Sequence, residues 1–414
     1  MMIHDLEKKR ILVVSSVYPL TADGNHGAFI REVILKLQPT GAKFHVFAPA
    51  YEGCPHYTLD DVPVYRFRYC PKPLENLVRD GAPTKIQRQR WYLIPAALYI
   101  LLGTVQLFGL CWKLKPDLLH INWPFPHGLM AFPAAKLLGI PMVFSFHGGE
   151  LLLAKKFGFV ARILRQLIPE SQGVTANSSF TQALIGNLSS EPVTVIPYGI
   201  TITPQLESEI PANPIPQLLF VGRLDERKGV TYLLQALPLI LRDHRVQLHI
   251  VGQGILETEL KQECKALGLE EQVKFLGVLS KEALAHEYAT CDIFVLPAIV
   301  DRKGDTEGLG IVMIEALAHG KPVVASDVGG IKDVIIDGVT GRLVPEKDPH
   351  QLAEVITDLL DRPEERQRLG CQGLKHIQTQ FNWSRITHQW SQVFAQALSN
   401  SDSSEIIADD PLIF

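Results

Sequence analysis

Short apolar runs alternate with amphipathic stretches along almost the whole chain, the pattern of repeated strand–helix units and hence of parallel sheets. In the first half the predicted strands are Ile11–Ser15, Phe44–Ala48, Leu118–Asn122, Met142–Phe146, Val174–Ala176 and Val193–Ile196. Helices are predicted near 28–38, 86–113, 128–138, 158–168 and 179–186. The strands are nearly continuous in Val, Ile, Leu and Phe, as expected of strands covered on both faces. The rhythm breaks over Thr201–Pro216, where four prolines (204, 211, 214 and 216) fall without apolar periodicity. Such a stretch predicts a linker. Alternation then resumes with strands at Leu218–Val221, Gln247–Val251, Val273–Leu276, Ile293–Leu296 and Val323–Ala325.

The predicted organisation is a first α/β domain over 1–200, a linker at 201–216, a second α/β domain over 217–380, a helix at 381–398 returning to the first domain, and a flexible tail at 399–414. A total of 414 residues suits this two-lobed arrangement. In open α/β sheets ligands bind at the C-terminal ends of the strands, so chemistry is expected just after strands, at a cleft shared by the two sheets.

Composition changes the picture in one respect. The net charge of −4 argues against a nucleic-acid partner, but it is unevenly spread. Residues 1–200 hold 20 Lys and Arg against 13 Asp and Glu, net +7; residues 201–414 hold 20 against 31, net −11. The six cysteines are scattered without metal or redox spacing, and the N-terminal residues do not form a signal-peptide pattern. Cytoplasmic residence is the expectation.

From Trp91 to Trp112 no charge occurs, with Lys85, Arg88 and Arg90 before and Lys113 and Lys115 after. Length alone would allow a membrane span. Leu118–Asn122 should share a sheet with Ile11–Ser15, which argues against spanning. Two readings stay open: a helix buried on the first sheet, or one resting on an anionic membrane surface through residues 85–113.

The richest motif is Gly304-Asp305-Thr306-Glu307-Gly308-Leu309-Gly310, leading into a helix that carries Glu315. Gly308, Leu309 and Gly310 let backbone approach a ligand at a helix N-terminus, a setting that favours an anion. Arg223 and Lys228 follow the first strand of the second domain, where a planar fork and a point charge together suit a diphosphate. Gly252 opens a tight strand–helix turn, but Glu257 stands where a dinucleotide fingerprint needs its third glycine. In the first domain His147 closes a strand ahead of two glycines and can donate to a sugar hydroxyl, with Glu150 placed to hold an acceptor hydroxyl. The loop Asp23-Gly24-Asn25-His26-Gly27 offers a similar backbone platform. No metal-ligand spacing and no nucleophile-elbow serine occurs.

Residues 222–228 and 304–320 resemble the GT-B retaining nucleotide-sugar glycosyltransferases of family four, especially those of colanic-acid and exopolysaccharide assembly. The resemblance implies an α/β fold of two Rossmann-like doubly wound parallel-sheet domains facing a cleft. It implies that Arg223 and Lys228 hold the donor diphosphate, Glu315 the ribose hydroxyls, and Glu307 the donor sugar beside the amides of Gly308–Gly310. His147 would meet the sugar from the other lobe, Gly24 and Gly27 would border the acceptor, and Ser178 matches a further family position. Transfer of a hexose from a nucleotide diphosphate sugar to a saccharide or polyprenyl-linked acceptor, with retention and without metal or other cofactor, follows from the same resemblance. At Tyr198 and Thr201 the chain departs from the family's usual Asn and Asp. A nucleotide-sugar epimerase and a non-catalytic subunit of a polysaccharide assembly complex are the alternative readings.

Overall fold

The computed structural model describes residues 6–22, 24, 26–78, 85–86, 89–201 and 214–406. Asp23, Asn25, Arg88 and most of the expected linker, residues 202–213, lie outside the described residues. The chain divides into two compact units, one comprising 1–177, 181–196 and 384–414 and the other 178–180 and 197–383.

In the first unit the strands are β1 (Arg10–Val14), β2 (Lys43–Pro49), β3 (Tyr57–Leu59), β4 (Val62–Phe67), β5 (Leu118–Asn122), β6 (Met142–Phe146), β7 (Gly173–Ala176) and β8 (Val193–Val195). They form one sheet in the order β3-β4-β2-β1-β5-β6-β7-β8, in which only the β3–β4 pair is antiparallel. The order reverses between β1 and β5, which pair in parallel with Ile11 opposite Leu118. Residues Ile11–Val14 and Leu118–Leu119 are fully buried, as the covered-strand reading requires.

The second unit holds β9 (Gln217–Val221), β10 (Gln247–Val251), β11 (Val273–Gly277), β12 (Ile293–Leu296), β13 (Val323–Ser326) and β14 (Gly341–Val344). All pair in parallel, in the order β11-β10-β9-β12-β13-β14, with the reversal between β9 and β12. Leu218–Phe220, Ile293–Leu296 and Val323–Ala325 are completely buried. Each Val, Leu, Ile or Phe among them stabilises the fold by about 1.5–3 kcal/mol.

The periodicity did not reveal β3, β4 or β14, because β4 contains Pro63 and β14 begins Gly-Arg, residues that read as turn rather than strand. The helix predicted over 86–113 runs instead from Leu93 to Leu114, after a short 3-10 turn at Arg90–Tyr92. Its buried stripe is Pro95, Tyr99, Gly103, Leu107 and Cys111, spaced by four, and Gly103 lies against Met130.

The last helix also differs from expectation. It extends from Trp383 to Ile406 rather than stopping at Leu398, so the expected tail is helical over 399–406, and 407–414 lie outside the described residues. No Gly or Pro occurs between Trp383 and Pro411 to end it. Trp390 and Phe394 on this helix pack on His120 of β5, with ring centroids 4.9 and 5.2 Å away.

Candidate active site

The loops after β9 and β12 meet where the second sheet reverses its strand order. Asp225, in extended conformation, leads into a single 3-10 turn, Glu226–Lys228, which ends at Gly229 with φ 65°. A Cβ on Gly229 would lie 1.8 Å from the carbonyl oxygen of Pro297, so only glycine allows this turn to seat against the loop after β12. The seating is locked by the Ile299 amide donating to the Arg227 carbonyl at 2.8 Å. Lys228 Nζ consequently reaches Glu307 and donates to its Oε2.

Lys228 and Glu307 are each only 7% exposed. Burial by itself pushes the Glu307 carboxyl up, but the charges of Lys228 and Arg227 together with the Lys228 hydrogen bond hold it below the usual range. The carboxylate is therefore ionised at neutral pH. Arg227 donates to the Thr306 carbonyl at 3.2 Å and stands 3.9 Å from Asp305. Burial disfavours its charge, but Glu307, Asp305, Asp225 and Asp301 more than restore it.

Glu307 is held from below by backbone. The Gly330 amide donates to the Glu307 carbonyl at 2.9 Å, and a Cβ on Gly330 would come within 2.0 Å of the Gly308 carbonyl oxygen. The Gly329–Gly330 pair after β13 thus fixes the height of the Glu307–Gly310 loop. Gly310 then adopts φ 86° and starts the helix Ile311–Ala318, leaving that helix's first amides without intrahelical partners. Glu315, in the second turn of this helix, accepts from Tyr288 Oη at 2.7 Å. Burial raises its carboxyl despite that bond. Gly252 lies with backbone packed on backbone: a Cβ there would be 1.9 Å from the Gly222 carbonyl oxygen.

The structure thus brings together Lys228, Glu307, Gly308, Leu309 and Gly310, with Glu315 on the helix that this loop opens and Gly252 on the turn beside Gly222. Arg223 is not drawn into the buried cluster; it is largely exposed and pairs with Asp225 at 3.1 Å. Arg227, Tyr288 and the Gly329–Gly330 pair escaped the sequence reading. The Gly-Gly step immediately after a strand was the available signal for the last of these.

In the first unit, His147 follows β6. Its Nε2 lies 2.9 Å from Asn122 Oδ1 at the end of β5, and its ring packs edge-on to Phe29 at 5.2 Å and against Trp123 at 4.5 Å. Burial drives its pKa down to about 3, so the ring is neutral at physiological pH. Glu150 is fully buried, and its Oε1 accepts from the His147 amide at 2.9 Å. Desolvation lifts its carboxyl to about 7 against backbone hydrogen bonds that pull it down. It braces the turn that carries His147 and does not face solvent. Asn122, a polar residue ending an apolar strand, was the overlooked member of this group.

Gly27, at φ 81°, starts the helix Ala28–Leu37 that presents Phe29 to His147. Gly24 lines a different feature, a cavity of about 410 Å³ at the C-terminal ends of β1, β2 and β4, together with Tyr18, His26, Arg66, Tyr69 and Glu75. Arg66 is buried and donates to the carbonyls of Pro49 and Tyr18, at 3.1 and 2.8 Å, and to Tyr57 Oη at 2.7 Å. Among the described residues its Nε and the Tyr18 hydroxyl have no hydrogen-bond partner. No group of three or more His, Cys, Asp or Glu that could hold a metal ion occurs among the described residues.

Residues 27–203 match the family described as Glycosyltransferase Family 4, and residues 206–376 match Glycosyl transferases group 1. A GDP-mannose-dependent monoacylated alpha-(1-6)-phosphatidylinositol monomannoside mannosyltransferase of Corynebacterium glutamicum is 31% identical over 273 residues, covering 62% of this chain and 71% of that protein. The chain belongs to the group 1 glycosyltransferases of the GT-B fold. A phosphatidyl-myo-inositol mannosyltransferase of Mycobacterium leprae aligns with this glycosyltransferase at 27% identity over 94% of the chain and 97% of its own length. Among solved structures, Anabaena HepE in complex with UDP superposes with a TM-score of 0.70 at 20% identity, over 94% of the glycosyltransferase and 99% of HepE. The group 1 match contains the Lys228–Glu307 pair and the Glu315 helix, and the family 4 match contains His147 and Glu150.

Proposed function

We propose that this glycosyltransferase transfers a hexose from a nucleotide diphosphate sugar to a saccharide acceptor, with retention of anomeric configuration, in exopolysaccharide or lipopolysaccharide assembly on the cytoplasmic side of the membrane. The observation that carries the reading is the buried, ionised Lys228–Glu307 pair at the mouth of the helix Ile311–Ala318. A fixed cation, a helix N-terminus and a carboxylate in one dry place match a diphosphate next to a hydroxylated ring. HepE, whose structure contains UDP, and the GDP-mannose-dependent relative support a nucleotide-linked donor.

In this reading Lys228 and Arg223 take the donor diphosphate, with the amides of Gly308, Leu309 and Gly310 beside it. Glu307 accepts from a sugar hydroxyl, and Glu315 accepts from the ribose. As the anomeric C–O bond breaks, negative charge grows on the leaving phosphate. Lys228 and the helix end stabilise that charge more in the transition state than in the ground state, which is what accelerates the step. Attack comes from the face the diphosphate leaves, and the departing phosphate oxygen takes the acceptor proton. Charge compensation comes from protein cations, so the reaction needs no metal.

His147, neutral and anchored by Asn122, donates a hydrogen bond to a sugar hydroxyl without adding charge. The acceptor enters at the cavity bordered by Gly24, where Arg66 and the Tyr18 hydroxyl have hydrogen-bonding capacity left over. Incubating the protein with UDP-, GDP- and ADP-sugars, with and without short glycan acceptors, tests the reading. The expected result is release of nucleoside diphosphate that depends on acceptor, with a product whose anomeric proton coupling by NMR matches the donor's configuration. Sugar isomerisation without acceptor would indicate an epimerase instead, and inversion would remove the front-face mechanism.

A further inference from the structure

The helix Leu93–Leu114 is apolar except at Thr104, Gln106 and Lys113, but it is buried on only one side. Its inner stripe packs on the first unit's core, with the Tyr99 hydroxyl 2.9 Å from His127 Nε2. On its outer side Ile94, Leu101, Val105 and Trp112 are 65%, 61%, 63% and 67% exposed. At about 100° per residue, spacings of 7, 11 and 18 bring all four within about 20° of one line, a stripe about 27 Å long. Leu93 and Leu102 widen it, and Trp91 is also exposed at its start. A continuous apolar stripe of this kind is costly in water and marks a surface with a partner.

Charge identifies the partner. No acidic residue occurs between Asp80 and Asp117, whereas Arg90 precedes the helix and Lys113 and Lys115 stand at its end, all three exposed. Trp91 and Trp112 at the two ends are the residue type that settles at the level of lipid headgroups. Spanning is excluded by topology. β1 precedes the helix and β5 follows directly after it, and the two are parallel neighbours in one sheet. An apolar face with basic ends on a helix fixed to a folded unit lies in the plane of a single leaflet.

We propose that the outer face of helix Leu93–Leu114 is a membrane-docking surface, which inserts Ile94, Leu101, Val105 and Trp112 into one leaflet of an anionic bilayer while Arg90, Lys113 and Lys115 meet its headgroups. This inference does not rest on the donor chemistry, and sedimentation with vesicles reads it without any turnover. The full-length protein is spun with vesicles of phosphatidylcholine alone or mixed with phosphatidylglycerol. The expected result is co-sedimentation with the mixed vesicles, weakened by added salt and by the combined changes Arg90→Glu, Lys113→Glu and Lys115→Glu. The combination Ile94→Ser, Leu101→Ser, Val105→Ser and Trp112→Ser changes exposed positions only, so its thermal unfolding should match the parent while vesicle affinity falls at least about tenfold.

Protein left in the supernatant with both vesicle types would overturn the proposal. So would equal binding by the four-serine variant. A parent that is dimeric in light scattering, turned monomeric by those serines and indifferent to vesicles, would assign the stripe to a second copy of the chain instead.

Discussion

The surroundings of Glu307 in the second unit and of His147 in the first bury polar groups in opposite ways. In the second unit the buried centre is ionised: Lys228 and Glu307 pair while Arg227 adds a further positive charge beside them. Around His147 in the first unit it is neutral, the buried Arg66 and Glu75 of that unit lying apart, at the cavity that Gly24 borders. His120, His127 and His147 are driven to about 3, 4 and 3 by burial, and each is hydrogen bonded to an uncharged partner, Ser145, Tyr99 and Asn122. Even Glu150 is pushed toward its protonated form. The difference follows the task proposed for each unit. On that proposal, charge is concentrated where a leaving diphosphate would develop charge, and neutral hydrogen bonding is kept where uncharged sugar hydroxyls would be read.

The largest expected effect comes from breaking the ionised pair. Lys228→Ala leaves the Glu307 carboxylate buried without its hydrogen-bonded cation, which should cost about 3–5 kcal/mol of stability and lower transfer by about 10²–10⁴-fold. The double change Lys228→Met with Glu307→Gln removes both charges. It should recover most of the melting temperature in a thermal scan and none of the turnover, which separates the pair's structural role from its chemical one. Next is Gly330→Ala, whose methyl would meet the Gly308 carbonyl oxygen at 2.0 Å. Moving the Glu307 loop should cost about 2–4 kcal/mol in denaturant unfolding and depress activity with it.

The neutral centre is broken by acid. Each of the three histidines has a folded pKa below its ordinary 6.5, so its contribution is complete above pH 6.5 and is lost as pH falls toward about 3–4. Melting monitored by circular dichroism should fall through that window, by about 1–3 kcal/mol for each histidine. Glu150 acts in the other direction. Its pKa is raised from 4.5 to about 7, so its contribution is full below pH 4.5 and lost as pH rises through 7. Glu150→Gln should therefore gain about 1–2 kcal/mol at pH 8 relative to the parent and nothing at pH 4. The smallest effect on the fold is expected from Arg223→Ala, an exposed residue. Its melting temperature should be unchanged, while the KM for donor rises about tenfold.

Much of the fold, and the main motif of the site, was legible in the amino-acid sequence. The strands Leu118–Asn122, Met142–Phe146, Gln247–Val251 and Ile293–Leu296 have the bounds that hydrophobic runs predict, because strands covered on both faces must be apolar throughout. Glu307, Glu315 and the glycines from 308 to 310 stood out because a loop that approaches a ligand with backbone needs them. What stayed hidden depends on tertiary placement. That Lys228 and not Arg223 would meet Glu307 is decided by the Gly229 turn against Pro297, two segments far apart in the chain. Arg227 stands in the charged run Asp225-Glu226-Arg227-Lys228, where nothing local marks it as partly buried against Thr306. Tyr288 comes from the helix Lys281–Thr290, with nothing local to link it to Glu315. Periodicity could not tell the buried side of the helix Leu93–Leu114 from the exposed one, since both are apolar.

The central claim, that the Lys228–Glu307 cluster binds a nucleotide diphosphate sugar, is tested most directly by isothermal titration of UDP-, GDP- and ADP-sugars into the parent and the charge-free Lys228→Met, Glu307→Gln variant. The account predicts saturable binding of one donor class by the parent and at least about 100-fold weaker binding by the folded variant. Equal affinity of the two proteins for the same donor would contradict it.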